Sequence, residues 1–332
     1  MTALRIGTRG SALALAQARA VAKALPAESE LVHVTTAGDV DRGHGDKSRW
    51  VSALESALLA GEIDLAVHSA KDVPGELAPG TAIVAAPRRA EPFDVLVGEP
   101  DLAHVREGAR VGTSSLRRRA QLLAVRPDLE VAELRGNVDT RLRKLAAGEV
   151  DLLVLAAAGL ERLGRRREAG RTLHEHVFVP APGQGVIAIQ ARPESPAADV
   201  AAAVTHARTF SCLLAERAAV TELAASCHTP VGVYAESSRI RGFVGLPDGS
   251  AWLVDEVAIE VGERRADGDE RGAGDERRTD GGDRGAGDER VASAGAAREG
   301  AAFDAAGREL ARRMLAAGAA DLLRDAEAMA SR

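Results

Sequence analysis

The sequence predicts an α/β protein of two lobes joined by a double crossover, followed by a small C-terminal α+β domain. Short apolar strands alternate with helices from residue 4 to about residue 68, and the same alternation restarts near residue 110. An isolated strand, Val186–Gln190, then follows and cannot form a domain alone, so we expect it to return to the first sheet. Two crossings between lobes would create a cleft, and ligands favour the carboxyl ends of strands there.

The elements of both units follow from apolar runs and from the residues that end helices. Pro26 ends the first helix and Gly148 a later one, since proline lacks a backbone donor and glycine suits the position after a helix. The predicted strands are Leu4–Thr8, Leu31–Thr35, Asp64–His68, Arg110–Gly112, Glu130–Leu134 and Asp151–Leu155. The predicted helices are Ser11–Leu25, Arg49–Ala60, Ser115–Val125 and Val138–Ala147.

The pattern changes to an α+β arrangement from about Arg208. A helix through Leu223 and a long helix over Phe303–Met329 enclose strands near Val231–Tyr234, Ile240–Leu246 and Trp252–Val261. Residues 262–300 repeat Gly-Asp-Glu-Arg and lack a periodic apolar pattern, which predicts a disordered insertion. The expected domains are 1–87 with 186–204, 91–182, and 208–332 with that insertion.

Composition excludes several classes of protein. The 332 residues carry a net charge of −6 and only 2% aromatic residues, which argues against a nucleic-acid binder with stacking aromatics. No apolar run approaches the ~20 residues of a membrane span, and the N-terminus lacks a signal-peptide core, so we expect a cytoplasmic protein. Two cysteines are too few for a disulfide framework.

Polar residues follow the strand at 64–68 within a few positions. His68, Ser69, Lys71 and Asp72 come at its carboxyl end, where side chains can face a cleft. A carboxylate beside a lysine stays ionised more easily, so Asp72 could stabilise a cation or transfer a proton. A strand terminus with a solvated turn explains the same residues, and this segment alone leaves both interpretations open.

Arginines and small hydroxyl residues recur at the strand ends of both units. Thr113 and Ser115 begin a helix, where free N–H groups bind anions, and arginines in that first turn oppose the helix dipole. A simple Ser N-cap with solvated arginines is the alternative. The arginines near strand ends are Arg9, Arg117, Arg118, Arg135 and Arg141. Arginine matches carboxylates in pairs of hydrogen bonds, and without a Walker loop the pattern favours a small ligand rich in carboxylates over a phosphate.

The two cysteines lie in different settings. Cys227 lies in a loop between a helix and a strand, where a thiol beside His228 could become a nucleophilic thiolate. A single cysteine in that loop makes a zinc site a poor explanation. Cys212 fits an apolar helix face and is expected in the core.

Taken together, the motifs resemble the porphobilinogen deaminase (hydroxymethylbilane synthase) family. The similar segments run in order along nearly the whole chain, apart from the insertion, and such an ordered set is highly specific. They are Ile6–Ser11 with Gln17, Ala66–Pro74, Gly112–Arg118 with Gln121, Leu134–Arg141, Leu155–Gly164, Pro180–Gly185 and the Cys227 loop. The resemblance implies two periplasmic-binding-protein-like lobes and a third small domain.

The same resemblance implies the reaction and its cofactor. It implies a covalent dipyrromethane, one per chain, held by a thioether to Cys227 and extended by four porphobilinogen molecules with loss of ammonia. Hydrolysis then releases hydroxymethylbilane, an intermediate of tetrapyrrole biosynthesis. Asp72 matches the catalytic aspartate, which contacts pyrrole N–H groups, assists departure of ammonia and stabilises an azafulvene-like cation. No metal is implied.

Other positions match residues that bind cofactor or substrate in the family. They are Arg9, Ser11, Gln17, Lys47, Ser69, Lys71, Thr113, Ser115, Arg117, Arg118, Arg135, Arg141, Arg162 and Gln184. The resemblance further implies a monomer that hands its product to uroporphyrinogen-III synthase.

The chain departs from the family pattern at two places. Ala225-Ser226 stands where Gly-Gly commonly precedes the cofactor cysteine, and Lys47-Ser48-Arg49-Trp50 replaces Lys-Gly-Leu-Phe in an active-site loop. The alternative function is a non-catalytic, two-lobed anion-binding or sensor protein. That alternative explains the lobes and arginines but not the cysteine loop, the third domain or Lys71-Asp72.

Overall fold

The computed structural model describes residues 3–34, 48–174, 177–225, 229–260 and 285–330. The strands are β1 Leu4–Thr8, β2 Ser29–His33, β3 Leu65–Ser69, β4 Ala82–Ala85, β5 Asp94–Val97, β6 Arg110–Gly112, β7 Glu130–Ala132, β8 Leu152–Ala156, β9 Ala169–Thr172, β10 Ile187–Ala191, β11 Val231–Ala235, β12 Arg239–Gly245 and β13 Trp252–Ala258. The helices are α1 Ala12–Ala24, α2 Ser48–Leu59, α3 Leu116–Val125, α4 Val138–Ala146, α5 Ala157–Arg162, α6 Pro196–Ala202, α7 Ala207–Glu222, α8 Gly285–Ala316 and α9 Ala319–Ala330. Short 3-10 helices lie at Ala70–Asp72, Leu102–His104 and Arg166–Glu168.

Two five-stranded sheets of matching topology form the two lobes. The strand orders are β2-β1-β3-β10-β4 in the first lobe and β7-β6-β8-β5-β9 in the second. The three strands at one side of each sheet are parallel, as the sequence predicts. However, β10 and β5 run antiparallel to their neighbours, so each sheet is mixed. The chain passes to the second sheet at β5 and returns at β10, which confirms the predicted double crossover.

Serine caps place two helix N-termini directly after the equivalent strands β1 and β6. Ser11 Oγ accepts a hydrogen bond from Ala14 N at 3.2 Å at the start of α1, and Ser115 Oγ accepts one from Arg118 N at 3.4 Å at the start of α3. Such caps satisfy donors that a helix start otherwise leaves unpaired. Both lobes therefore present a strand end and a helix N-terminus side by side.

A small domain of three antiparallel strands, β11-β12-β13, packs with α7, α8 and α9 around Phe303, Leu310 and Met314. This domain also shares apolar contacts with both lobes. Phe243 of β12 belongs to the second lobe's core, and Leu213 of α7 packs in a cluster with Val73 of the first lobe. The third domain therefore contacts the residues that follow β3.

The C-terminal helices differ from the sequence prediction. Residues 285–300, predicted to be part of the disordered insertion, are helical, because α8 begins at Gly285. The run from Ala292 to Ala302 is rich in alanine, the strongest helix former. The prediction of disorder depended on glycine and charge content and did not include this helix propensity. The single helix predicted over Phe303–Met329 is two helices, since Gly318 has φ +100° and ends the first of them. Residues 261–284 lie outside the described residues.

Within the described residues, none of the helices is both long enough and apolar enough to cross a membrane.

Candidate active site

A cavity opens at the carboxyl ends of β1 and β3 in the first lobe. It has a volume of about 520 Å³, including the part open to solvent. Gln17 Nε2 and Ser69 Oγ are 2.8 Å apart and hold α1 against the end of β3. The polar lining consists of Arg9, Ser11, Gln17, His68, Ser69 and Asp72. The structure thus brings together Arg9, Ser11, Gln17 and Ser69, as the sequence predicts, around a partly buried Asp72.

The turn that carries Asp72 is tied to the segments crossing between the lobes. Lys71 Nζ donates to Gln184 Oε1 at 3.4 Å. Gln184 is fully buried, and its Nε2 donates to Pro92 O at 2.7 Å and to Asp94 Oδ1 at 2.9 Å. Gln184 therefore links the first-lobe turn to the start of β5.

Asp94 lies buried between two arginines that the sequence predicts as ligand-binding residues. Arg117 Nη2 and Arg118 Nη2 each lie 2.7 Å from one of its carboxylate oxygens. Burial alone would raise the pKa of Asp94, but the two guanidinium groups overcome this and hold the pKa well below its ordinary value. Arg117 Nη1 also donates to Gln121 Oε1 and Val179 O. Asp94 is a site residue that the motifs missed; an acid at the head of the apolar run Asp94–Val97 was the available signal.

Two further arginines are partly buried but make no ion pair within the described part of the chain. Arg141 donates to Gly136 O at 2.9 Å and to Ser114 Oγ at 3.0 Å, and Arg162 donates to Gly185 O at 2.6 Å. Burial, followed by the charge of Arg118, lowers the pKa of Arg141 to about 10, while Asp72 opposes the shift. Burial also lowers the pKa of Arg162 to about 10.

Desolvated guanidinium groups without a carboxylate partner are costly, and an anionic ligand would offset that cost. The donor chemistry of Arg141 and Arg162 therefore fits a group that carries several carboxylates, as a dipyrromethane with acetate and propionate side chains does.

The remaining predicted residues are placed differently. Arg135 is exposed, and its Nε lies 2.6 Å from Glu133 Oε1, so the structure does not gather it with Arg141. Thr113 is buried, and its Oγ1 accepts a hydrogen bond from Ser115 N at 3.2 Å, which shapes the start of α3. Lys47 and Cys227 lie outside the described residues.

Cys212 is a core residue, which confirms the prediction for it. Only 5% of the residue is exposed, and its Sγ lies 3.7 Å from Glu236 O. Burial, together with the charge of Glu216, raises the pKa of its thiol to about 12. A thiol in this setting is a poor nucleophile at neutral pH.

The helix that leads towards Cys227 ends in a strained conformation. Ala224 has φ +50°, in the left-handed region that favours glycine. Its N–H donates to Thr221 O at 3.1 Å, and Ala225 N donates to Val220 O at 3.0 Å, which completes a Schellman ending of α7. The chain therefore keeps a sharp helix end without a glycine, two residues before the segment 226–228 that the structure does not describe.

Comparison with known proteins gives a consistent family. Residues 4–199 match the model described as "Porphobilinogen deaminase, dipyromethane cofactor binding domain", and residues 210–270 match "Porphobilinogen deaminase, C-terminal domain". A porphobilinogen deaminase of Roseiflexus sp. (strain RS-1) is 46% identical over 74% of this chain and 87% of its own length. Those of Thermus thermophilus and Deinococcus radiodurans are 42% and 41% identical, over 79% and 82% of this chain and 92% and 97% of their own lengths.

Similarity to solved structures is weaker. The methionine-binding protein MetQ has a TM-score of 0.39 and 15% identity, over 60% of this chain and 89% of its own. A periplasmic substrate-binding protein of an ABC transporter from Coxiella burnetii has a TM-score of 0.37 and 14% identity, over 63% and 94%.

Proposed function

Because the chain belongs to the porphobilinogen deaminase family, we propose that its two-lobed cleft condenses four porphobilinogen molecules into hydroxymethylbilane with the residues described above. The enzyme is a transferase, a hydroxymethylbilane synthase, and its family domain binds a dipyrromethane cofactor.

One observation supports this use of the cleft most strongly. The charge of Asp72 acts on Arg141, a desolvated guanidinium that makes no ion pair in the described part of the chain. A non-catalytic anion-binding or sensor protein is not favoured, since both family domains match.

The cofactor would be attached at Cys227 and held by arginines. When bound, the dipyrromethane supplies the pyrrole carbon to which the first substrate unit is joined. Arg141 and Arg162 would bind carboxylates of its pyrrole side chains, and Arg9 would do so from the first lobe. Arg118 would contribute positive charge from its position beside Asp94. The alternative thiol, Cys212, is buried and has a raised pKa, which favours Cys227 as the attachment point.

Asp72 would be the catalytic residue. The C–N bond of the substrate's aminomethyl group breaks as ammonia leaves, and positive charge develops on the pyrrole that remains. An ionised Asp72 in a partly buried cavity would stabilise that charge and accept a hydrogen bond from the pyrrole N–H. Such a fixed charge is most effective where water is excluded.

The proposal includes the rest of the family's binding set. Its members are Ser11, Gln17, Lys47, Ser69, Lys71, Thr113, Ser115, Arg117, Arg135 and Gln184. Gln17 and Ser69 line the cavity, while Arg117 and Gln184 would act through Asp94 rather than on the ligand.

The proposal also assigns domains of 1–87 with 186–204, 91–182 and 208–332, in agreement with the three sheets. A cytoplasmic monomer that passes hydroxymethylbilane to uroporphyrinogen-III synthase completes it. The monomeric state, the location and the transfer of product rest on the family resemblance.

Asp72→Asn tests the central residue of this proposal. We expect hydroxymethylbilane formation to fall by about 10² or more, because the side chain keeps its volume and loses its charge. Thermal unfolding should be unchanged. Asp199→Asn, at an exposed position of α6, is the matched control and should retain the parent rate. A parent-like rate for Asp72→Asn would remove Asp72 from the mechanism.

A further inference from the structure

One face of α7 packs against the turn that carries Asp72. Leu213, Arg217 and Thr221 are spaced four residues apart and therefore lie on the same side of the helix. Leu213 packs in a cluster with Ala70 and Val73, the residues that flank Lys71-Asp72. Thr221 Oγ1 would lie 3.6 Å from a Cβ placed on Gly75. Close packing therefore continues along the whole turn.

Arg217 is the polar contact in the middle of this face. Its Nη2 donates to Pro74 O at 2.8 Å and to Gly75 O at 2.7 Å. Burial lowers the pKa of Arg217, and within the described residues it makes no ion pair. Hydrogen bonds from a charged donor are about twice as strong as neutral ones, so two of them on adjacent carbonyls fix the turn firmly.

The preceding residue of α7 holds the other side of the same turn. Glu216 is fully buried, accepts hydrogen bonds from Gly183 N at 2.6 Å and Ala235 N at 2.8 Å, and pairs with Arg89. Gly183 in turn packs closely against Ala70, since a Cβ on Gly183 would lie 2.8 Å from the Ala70 Cβ. The turn is therefore enclosed between α7 and the segment returning to the first lobe.

We propose that Arg217 is a positioning residue. By holding the carbonyls of Pro74 and Gly75, it fixes the Asp72 turn to the helix that leads to Cys227. Asp72 lies in a 3-10 helix of three residues, which has little rigidity of its own, whereas α7 spans 16 residues and ends five residues before Cys227. Arg217 thus sets the position of the Asp72 carboxylate relative to α7, an inference that rests on the proposed role of Asp72.

The test compares Arg217→Met with Arg208→Met in the purified holoenzyme. Arg208 lies on the same helix but faces α8, where its Nη1 is 3.3 Å from Glu299 Oε1. For Arg217→Met we expect kcat to fall by about tenfold to a hundredfold, because small misplacements of a catalytic group are costly. KM and the cofactor mass should stay at parent values, and amide exchange over residues 70–75 should accelerate. Arg208→Met should match the parent in all four measurements.

Arg217→Lys keeps the charge with a more compact donor and should give an intermediate kcat, which preserves the test if Arg217→Met does not fold. Parent-like exchange over 70–75 or a parent-like kcat in the Arg217 variants would overturn the inference. Failure of the proposed function would appear in the parent itself, as absence of cofactor mass or turnover. The exchange comparison would still decide whether Arg217 holds the turn.

Discussion

Two pairs of arginines that the sequence predicts as ligand-binding residues have opposite surroundings. Arg117 and Arg118 share the buried carboxylate of Asp94, whereas Arg141 and Arg162 donate only to main-chain and hydroxyl oxygens among the described residues. All four lie in motifs that the sequence marks as ligand-binding. The difference indicates that the first pair stabilises the second lobe through Asp94, whereas the second pair can bind an anionic ligand. The partner of an arginine, rather than its motif, distinguishes these roles.

The pairs are also electrostatically linked. One carboxylate neutralises only one of the two guanidinium charges around Asp94, and the charge of Arg118 contributes to the lowered pKa of Arg141. The cluster therefore leaves positive charge that acts on Arg141, where it would reinforce binding of carboxylates.

The largest stability effect is expected at Asp94. Asp94→Asn should reduce the free energy of unfolding by about 3–5 kcal/mol, because it leaves two buried guanidinium groups without their charge partner. Asp64→Asn removes the partner of Arg5 in a more exposed pair and should cost about 1 kcal/mol or less. Denaturant unfolding measures both. Equal losses in the two variants would refute the structural role of the Asp94 cluster.

Arg141→Leu should show the reverse pattern. Its free energy of unfolding should change by less than about 1 kcal/mol, since no ion pair is broken in the part of the chain that is described. Cofactor assembly or chain elongation should be strongly impaired. Arg143→Leu, at an exposed position of the same helix, is the control and should behave as the parent. An Arg141→Leu protein that loses stability as Asp94→Asn does, yet keeps cofactor and activity, would invert the comparison.

Between about pH 6.5 and 4, stability should depend on pH through His68 rather than through Asp94. Burial lowers the pKa of His68 to about 4 from its ordinary 6.5, so the unfolded chain binds a proton in this window that the folded protein does not. As the pH decreases from about 6.5 to 4, the free energy of unfolding should therefore decrease, by at most roughly 1.4 kcal/mol per pH unit from this group. Asp94 stays ionised throughout the window. A plot of the free energy of unfolding against pH should have different slopes for the parent and His68→Gln in this window. Identical slopes would contradict the prediction.

The sequence predicts local structure well where single residues fix the ends of elements. The strand Leu4–Thr8 was predicted with the bounds that β1 has, and the caps Ser11 and Ser115 set the starts of α1 and α3. The strands β4, β5 and β9 were not predicted, because four residues show little alternation and their pairing depends on distant strands.

Pairing over long distances also limited prediction of the site. The motif around Arg117 contains no indication that Asp94, 23 residues earlier in the chain, would neutralise it. Arg135 and Arg141 look equivalent in sequence, yet one is exposed beside Glu133 and the other is partly buried and hydrogen-bonded to Ser114. Residue types and spacing therefore located the cleft, while burial and partners divided its residues into roles.

The most direct test of the account is peptide mass spectrometry of the parent, Cys227→Ser and Cys212→Ser proteins. We expect the mass of a dipyrromethane on the Cys227 peptide of the parent, and both adduct and activity to be absent from Cys227→Ser. Cys212→Ser should keep both, with a modest loss of stability from a hydroxyl in the core. An adduct on the Cys212 peptide, or a catalytically active Cys227→Ser protein, would contradict the assignment of the cofactor and the mechanism built on it.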